Sequence, residues 1–556
     1  MNRNSENHFA VNPQVDIGRS CFRRNSDHKT TFDAGDLIPI YVDEVLPGDT
    51  FSMDMSALVR MTTPIFPTMD NAAIDFYFFY TPTRILWDHW KELNGENRET
   101  AWAQKVEYSV PQVKMTKADN PNGWDTGSIA DYMGIPTKVT DISVNALPFR
   151  AYGMIWNEFF RNQNTTAPTL VETDDSDIEG SSDGSDSNKQ AIKGGKPLKA
   201  EKYFDYFTGC LPAPQKGEPV SLPLSGNAIV GPLKYTIDSQ GHAKISNEPA
   251  KIGAVIEKGL VKGANVNLKT PTFTAENDVL GLLISGQGGV DTETAMLGAN
   301  LSTVNAVSIN QLRQAFQIQK LLEKDARGGT RYREVLREHF GVISPDSRQQ
   351  IPEYLGGYRM PINVNQVVQT SQTSAESPQG NVAAMSVTTM NQSMFTKSFT
   401  EHGYIIGLAV ARYDQTYQQG LERMWSRKTR FDYYWPVLAN IGEQAVLNKE
   451  IYFQGNEKDN EAFGYQEAWA DYRYKPSRVS GKFRSNAEGT LDSWHYAQKY
   501  AALPTLTSDW MHAGNAELKR TLAVQNEPNF IGDFYFMCKT TRAMPVFSIP
   551  GLIDHH

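Results

Sequence analysis

Only three cysteines occur in 556 residues, Cys21, Cys210 and Cys538, widely spaced and odd in number. None falls in a CxxC pair, which excludes the common zinc and redox sites and any disulfide framework, and leaves free or buried thiols in a reducing compartment as the expectation. Long apolar runs are missing too. The longest in the neighbourhood of the core segments, Ile405–Ala411, is far short of the roughly 18 residues a membrane span needs, so no membrane insertion is expected. Met1–Ala10 is polar and has no apolar h-region, so no secretory signal is expected. Positive charge is in deficit: 54 Lys and Arg stand against 63 Asp and Glu, giving a net charge of -9 and a pI near 5.7. A surface that is a nucleic-acid footprint throughout is thereby excluded, and any such contact must be a local basic patch.

Catalytic signatures are absent as well. The sequence has no GxxxxGK[ST] phosphate loop, no GxSxG elbow, no HExxH and no GxGxxG after a strand; Gly286-Gln287-Gly288-Gly289 does not meet the last pattern. The ten histidines are scattered; His555-His556 is terminal and His402 precedes a strand, so neither is expected to hold a metal. No catalytic residue, cofactor or metal is therefore expected. Paired carboxylates suited to glycoside cleavage are a spatial arrangement that sequence order does not report.

The last scarcity organises the chain. Gly217–Val307 holds two aromatic residues, Tyr235 and Phe273, in a protein that is 11% aromatic, and all ten tryptophans lie outside the interval between Trp156 and Trp425. An aromatic scaffold built from both ends of the chain, with a surface excursion let into its middle, is the simplest reading. Length alone, at about 150 residues per domain, would give three to four domains. One β-scaffold with long loops gives fewer. With 40% hydrophobic and 21% charged residues the composition is that of a folded protein.

What is present reads as short strands between long loops. Phe51, Met53, Met55 and Ala57 alternate with Ser52, Asp54 and Ser56, the period of a strand with one buried face. Ala73–Tyr80 is dense enough in aromatics that both of its faces must be covered. Tyr404–Tyr413 is the strongest strand of the second half, and Gly532–Cys538 the last. Ala151–Phe160 has the spacing of a short helix. Ser308, with Gln311 three residues on, caps a helix carrying Ile309, Leu312, Phe316 and Leu322 up to Arg327-Gly328-Gly329, and a second helix spans about Thr330–Phe340. The arginines of these two helices are interspersed with Glu and Asp, as on a solvated, ion-paired face. Together these signals predict a mainly β protein, an antiparallel β-sandwich with long loop insertions and a few short helices.

Two stretches invite chemical readings. Residues 1–36 have little periodicity and read as an N-terminal arm, with Arg19, Arg23, Arg24 and Lys29 close together and Phe22 among them. Cations on such an arm release counterions from phosphates, and Phe22 could stack on a base; a terminus that docks on a neighbouring subunit is the alternative. Glu172–Ser187 carries seven carboxylates and no cation among Ser and Gly, the composition of a mobile exposed loop. Within it Asp175, Asp177, Glu179, Gly180 and Asp186 fall at positions 1, 3, 5, 6 and 12 of a calcium-loop spacing. Glu at position 5, Asp at 12 and Ser182 at 8 depart from that pattern.

Longer motifs carry a family resemblance. SINQLRQAFQIQKLLEKDARGGTRYREVLREHFGV (Ser308–Val342), PEYLGG (Pro352–Gly357), YFTGCLPAPQKG (Tyr206–Gly217), EAWADYRYKPSRVSGKFR (Glu467–Arg484) and MPVFSIPGLIDHH (Met544–His556) resemble the major capsid protein of the gokushovirus branch of the Microviridae. The resemblance runs from Val42 to the C-terminus and weakens over Glu172–Lys199 and the central excursion. It implies an eight-stranded antiparallel jelly roll, divided into an arm (1–36), a first part with loops (37–216, including an acidic mobile loop at 172–199), a surface insertion (217–307) and the helices with the second part (308–556). It further implies a virion protein, assembled in the host cytoplasm, that associates with itself into a T=1 icosahedral shell around circular single-stranded DNA. The insertion would project at the threefold axes toward a host surface receptor. Other implied partners are a small internal DNA-binding protein and a minor spike or pilot protein. Basic and aromatic residues of the interior would touch DNA, a role that would fall to Arg19, Arg23, Arg24 and Lys29. A carbohydrate-binding or carbohydrate-active β-sandwich is the competing function class.

Overall fold

The computed structural model describes residues 18–97, 106–118, 120–182, 188–220, 229–237, 243–249, 255–257, 260–262, 294–300, 309–370, 373, 379–380 and 382–547. Nine strands build its scaffold: β1 (Arg19–Arg23), β2 (Ser26–Phe32), β3 (Ile38–Val45), β4 (Thr50–Met61), β5 (Ala72–Pro82), β6 (Glu353–Pro361), β7 (Thr388–Ser398), β8 (Gly403–Tyr413) and β9 (Phe530–Ala543). They form two antiparallel sheets. In the first, β1 and β2 lie one after the other along β9, which pairs β4, which pairs β7. The second has the order β6-β5-β8-β3.

Side-chain alternation explains why these segments pair this way. Phe51, Met53, Met55, Ala57 and Val59 of β4 and Phe530, Phe534, Phe536 and Cys538 of β9 are buried on one face of the first sheet. They meet Ile74, Phe76, Phe78 and Tyr80 of β5 and Ile405, Ala409, Ala411 and Tyr413 of β8 in one cluster. Each Phe, Met, Ile and Val among them contributes about 1.5–3 kcal/mol by leaving water, and a one-residue slip would turn the whole row outward. Phe78 packs against Phe395 of β7 at 5.5 Å and Phe536 of β9 at 6.4 Å. Gly407 is required in β8, since a Cβ there would lie 2.7 Å from the Phe78 ring and 3.0 Å from Tyr41 Cβ.

The second sheet is covered on its outer face too. Phe79, Tyr404, Ile406, Leu408 and Val410 join a second cluster with Trp87, Trp124, Phe149, Tyr152 and Ile155. β8 is buried along its whole length and β5 nearly so, as the aromatic density of Ala73–Tyr80 led us to expect. The Trp-rich stretch after β5 and helix α1 (Leu147–Ile155), which passes into a π-type turn at Trp156–Phe160, supply that cover. Arg150 of α1 is wholly buried and donates to the Leu86 and Asp174 carbonyls at 3.2 and 3.0 Å. A third cluster, with Tyr206, Phe207, Cys210, Tyr417, Ile451 and Phe463, lies among the long loops.

Two expectations change. Over Arg19–Phe32 the arm is instead sheet: residues 19–23 pair with 539–543 and 26–32 with 530–536, because β9 offers fourteen residues of ladder and the low apolar content of β1 and β2 suits an edge with one solvated face. The acidic segment is tied down where it is described. Ile178–Glu179 adds a parallel strand beside Val113–Lys114, and carboxylates 172–179 are each engaged by neighbouring donors. Asp183–Ser187 lie outside the described residues.

Contacts divide the chain in two. The described residues of 1–216 and 323–556 form one compact unit, and those of 217–322 a second. In the second, Ile229–Ile237 pairs antiparallel with both Ala243–Pro249 and Thr294–Asn300, and Val255–Glu257 with Leu260–Lys262. Ser308, read from the sequence as a helix cap, lies outside the described residues. The division falls within α2 (Ile309–Gly328), which is followed by α3 (Tyr332–Phe340). α3 ends at Gly341 in the left-handed region, φ 67°, where glycine is unstrained.

Candidate nucleic-acid interface and a basic aromatic cleft

The four cations singled out in the sequence sit on the β1-β2 edge of the first sheet. Arg19, Cys21 and Arg23 are exposed on alternate positions of β1, and Arg23 stands opposite Lys539 of β9. Arg19 reaches back across the edge, donating to the Gly48 carbonyl and, at 3.3 Å, to Thr50 Oγ1. Phe22 turns to the other face, opposite the buried Thr540, so it is not in the exposed row with Arg19 and Arg23.

Local partners draw on two of the four charges. Arg24 grips Asp43 with both terminal nitrogens at 2.7 Å. Burial alone would lower its pKa, but the hydrogen bond and charge of Asp43 outweigh this and raise it. Lys29 pairs with Asp27 and lies 3.7 Å from Asp533; the hydrogen bond to Asp27 raises its pKa. The structure thus brings Arg19, Arg23 and Lys29 to one exposed sheet face and turns Arg24 to a structural ion pair.

The calcium spacing does not gather its ligands. Asp175 Oδ1 accepts from Trp87 Nε1 and faces His89 Nδ1, Asp177 Oδ1 accepts from the Gln112 amide, and Glu179 Oε1 accepts from the Thr116 amide and hydroxyl. Each carboxylate serves a different anchor, and Asp186 lies outside the described residues. Among the described residues no group of three or more His, Cys, Asp or Glu is placed to hold a metal ion, and no helix is long and apolar enough to cross a membrane. Cys210 and Cys538 are buried and Cys21 exposed, all three as free thiols.

A more concentrated basic surface lies in the long connection between β8 and β9. A cleft of about 350 Å³ is walled by Tyr206, Arg423, Glu450, Tyr472, Lys475 and Arg484, among others. Its floor is a buried network: Tyr206 donates to Glu450 Oε2 at 2.8 Å, and Arg423 Nε lies 3.3 Å from Oε1. Burial pushes the Glu450 carboxyl up, against the pull of Arg423. In its wall Arg427 pairs with Asp471 and stacks 4.4 Å over Tyr472, and farther along the same loop Arg430 lies 4.8 Å over Trp435. Tyr434 packs on Trp469 and Tyr472. Beyond these the loop leaves Trp425, Phe431 and Val437 exposed, by 67, 73 and 92%. The sequence signal was there, as aromatic clusters at Phe431–Trp435 and Trp469–Tyr474, but only folding joins the two stretches.

Known proteins decide what class of site to seek. The family profile for "Capsid protein (F protein)" matches residues 11–552. The chain belongs to that family. It is 41% identical to capsid protein VP1 of Bdellovibrio phage phiMH2K over 99% of this chain and 98% of that one. It is also 41% identical to capsid protein VP1 of Chlamydia phage 1 over 98% of both, and 42% to that of Spiroplasma virus 4 over 94% of both. This bears out the resemblance to the Microviridae major capsid proteins. Members of the family are structural, so the surfaces by which the capsid protein meets other molecules are its functional sites, and the missing catalytic motifs agree with that.

Proposed function

We propose that this capsid protein forms a T=1 icosahedral shell around a circular single-stranded DNA phage genome, with an eight-stranded jelly roll as the wall. The observation that carries the reading is the strand order. β1 and β2 share one position along β9, so each sheet has four positions, and β2 through β5 alternate between sheets, as do β6 through β9. Two such sheets closed over one aromatic core support a jelly roll, an arrangement that capsid domains use. Electron microscopy of the purified protein tests the shell: closed particles or shell fragments are expected, and a strictly monomeric protein with a saturable oligosaccharide site would overturn it.

Two finer roles belong to the same proposal. Gly217–Val307 projects at the threefold axes and attaches to a host receptor; its poverty in aromatics and its place in a separate compact unit of residues 217–322 support a segment independent of the wall core. Of the four cations Arg19, Arg23, Arg24 and Lys29, the DNA contact falls to Arg19, Arg23 and Lys29, supported by their exposure on one edge, while Arg24, held by Asp43, fixes that edge. Replacing Arg19, Arg23 and Lys29 with Gln is expected to lower packaged DNA and to flatten the salt sensitivity of particles; unchanged packaging would refute that assignment. A small internal DNA-binding protein and a minor spike or pilot protein are further proposed partners.

A further inference from the structure

We propose that the basic aromatic cleft and its exposed loop form a contact with a second copy of this chain, seated against a different face of that copy. This rests on the shell reading above. Three observations carry it. First, Arg423–Ile441 and Ala470–Arg484 hold nine of the 54 Lys and Arg but only two of the 63 Asp and Glu, Asp432 and Asp471. With Glu422 and Glu450, which also line the cleft, the surface holds nine cations against four carboxylates, and the rest of the chain 45 against 59, a net negative charge complementary to this surface.

Second, the surface has the composition of an interface core. Trp425, Phe431, Tyr433, Tyr434 and Val437 are all more than two-fifths exposed, on a chain whose buried aromatics gather mostly in three clusters. Exposed Trp, Tyr, Phe and Arg in one place mark protein contacts in which a few anchors carry the binding free energy. Phe431 and Val437 add apolar area with no charge, which backbone phosphates do not reward. Third, much of the cation set is held in place by the fold: Arg427 by Asp471 and Tyr472, Lys475 and Arg478 by Glu422, and Arg484 by the Gln418 carbonyl at 2.7 Å. A surface arranged in advance loses less side-chain freedom on docking.

The charge asymmetry also fixes the kind of contact. A twofold pairing of this surface with itself would set like charge against like, whereas seating it on another face of the next copy is heterologous and generates rings, the unit from which a shell closes. The contact is in part electrostatic, so salt weakens it.

The test uses the full chain in two double variants, Phe431→Ser with Val437→Ser, and Lys428→Glu with Arg430→Glu, all at exposed positions outside the three clusters. Sedimentation and electron microscopy read assembly, and circular dichroism with thermal melting reads the fold of the unassembled subunit. Both variants are expected to fold as the wild type does and to yield about tenfold fewer shells, with the wild type itself disassembling as salt rises. Shells at wild-type yield from both variants would overturn the inference, and the same yield with loss of packaged DNA would reassign the surface to nucleic acid. A wild-type chain that forms no shells at all would count against the shell reading itself, which separates the two failures.

Discussion

Arg24 shows how a charged residue changes meaning between sequence and fold. Beside Arg19 and Arg23 it reads as one more phosphate contact, yet its guanidinium is committed to Asp43, whose second oxygen also accepts from Tyr41 at 2.8 Å. Removing it would leave a mostly buried carboxylate short of its main donor. Arg24→Ala is expected to cost the unassembled subunit on the order of 1–3 kcal/mol, read as a lower midpoint in urea unfolding. Lys202 gives a pH signature at the same scale. Burial lowers its pKa from 10.5 to about 8, where it stacks 4.3 Å over Trp510. Between pH 8 and 10.5 the unfolded chain therefore holds a proton there that the folded chain has released, so Lys202 makes stability rise with pH across that window and fall as pH drops through it. In Lys202→Met that component should vanish; an identical pH dependence of melting in variant and wild type would argue against it.

Among the elements, β1 and β2 are the clearest case of tertiary override. Neither has the apolar alternation of β4, and both exist because β9 presents an unpaired edge long enough for two short strands in line. Phe32 anchors the second of them, fully buried and stacked at 5.4 Å on Phe530. Phe32→Ala is expected to destabilise by about 3–5 kcal/mol, and to raise hydrogen exchange along Ser26–Phe32 before the rest of the sheet. Loss of protection spread evenly over both sheets would contradict this edge role. The acidic segment follows the same logic in reverse. Its composition is that of a solvated loop, but the donors that fix it, at Trp87, Gln112, Lys114 and Thr116, are distant in sequence.

For the whole molecule, the central fact is that the β-scaffold is assembled from both ends of the chain and that the described residues of 217–322, which include the aromatic-poor middle, form a second unit. Deleting Gly226–Leu297 is accordingly expected to leave shells forming in yield close to wild type while host attachment is lost, measured by particle counts and by adsorption to host cells. Failure of the deleted chain to fold would make the segment part of the core. The cleft contact belongs to this scale too, since one subunit's basic surface acquires its purpose only against the next.

By itself the sequence determined the β class, the buried alternation of β4, the double cover over β5, the two helices near Ile309–Phe340 and the family, because periodicity and long collinear motifs are local properties of a chain. Only the tertiary structure decided that Arg19–Arg23 and Ser26–Phe32 are strands, that Phe22 faces away from the exposed arginines, that the calcium-spaced carboxylates part company, and that Arg423–Ile441 meets Ala470–Arg484. Each of those depends on which distant donor, edge or ring arrives alongside. Spacing along the chain carries no record of that.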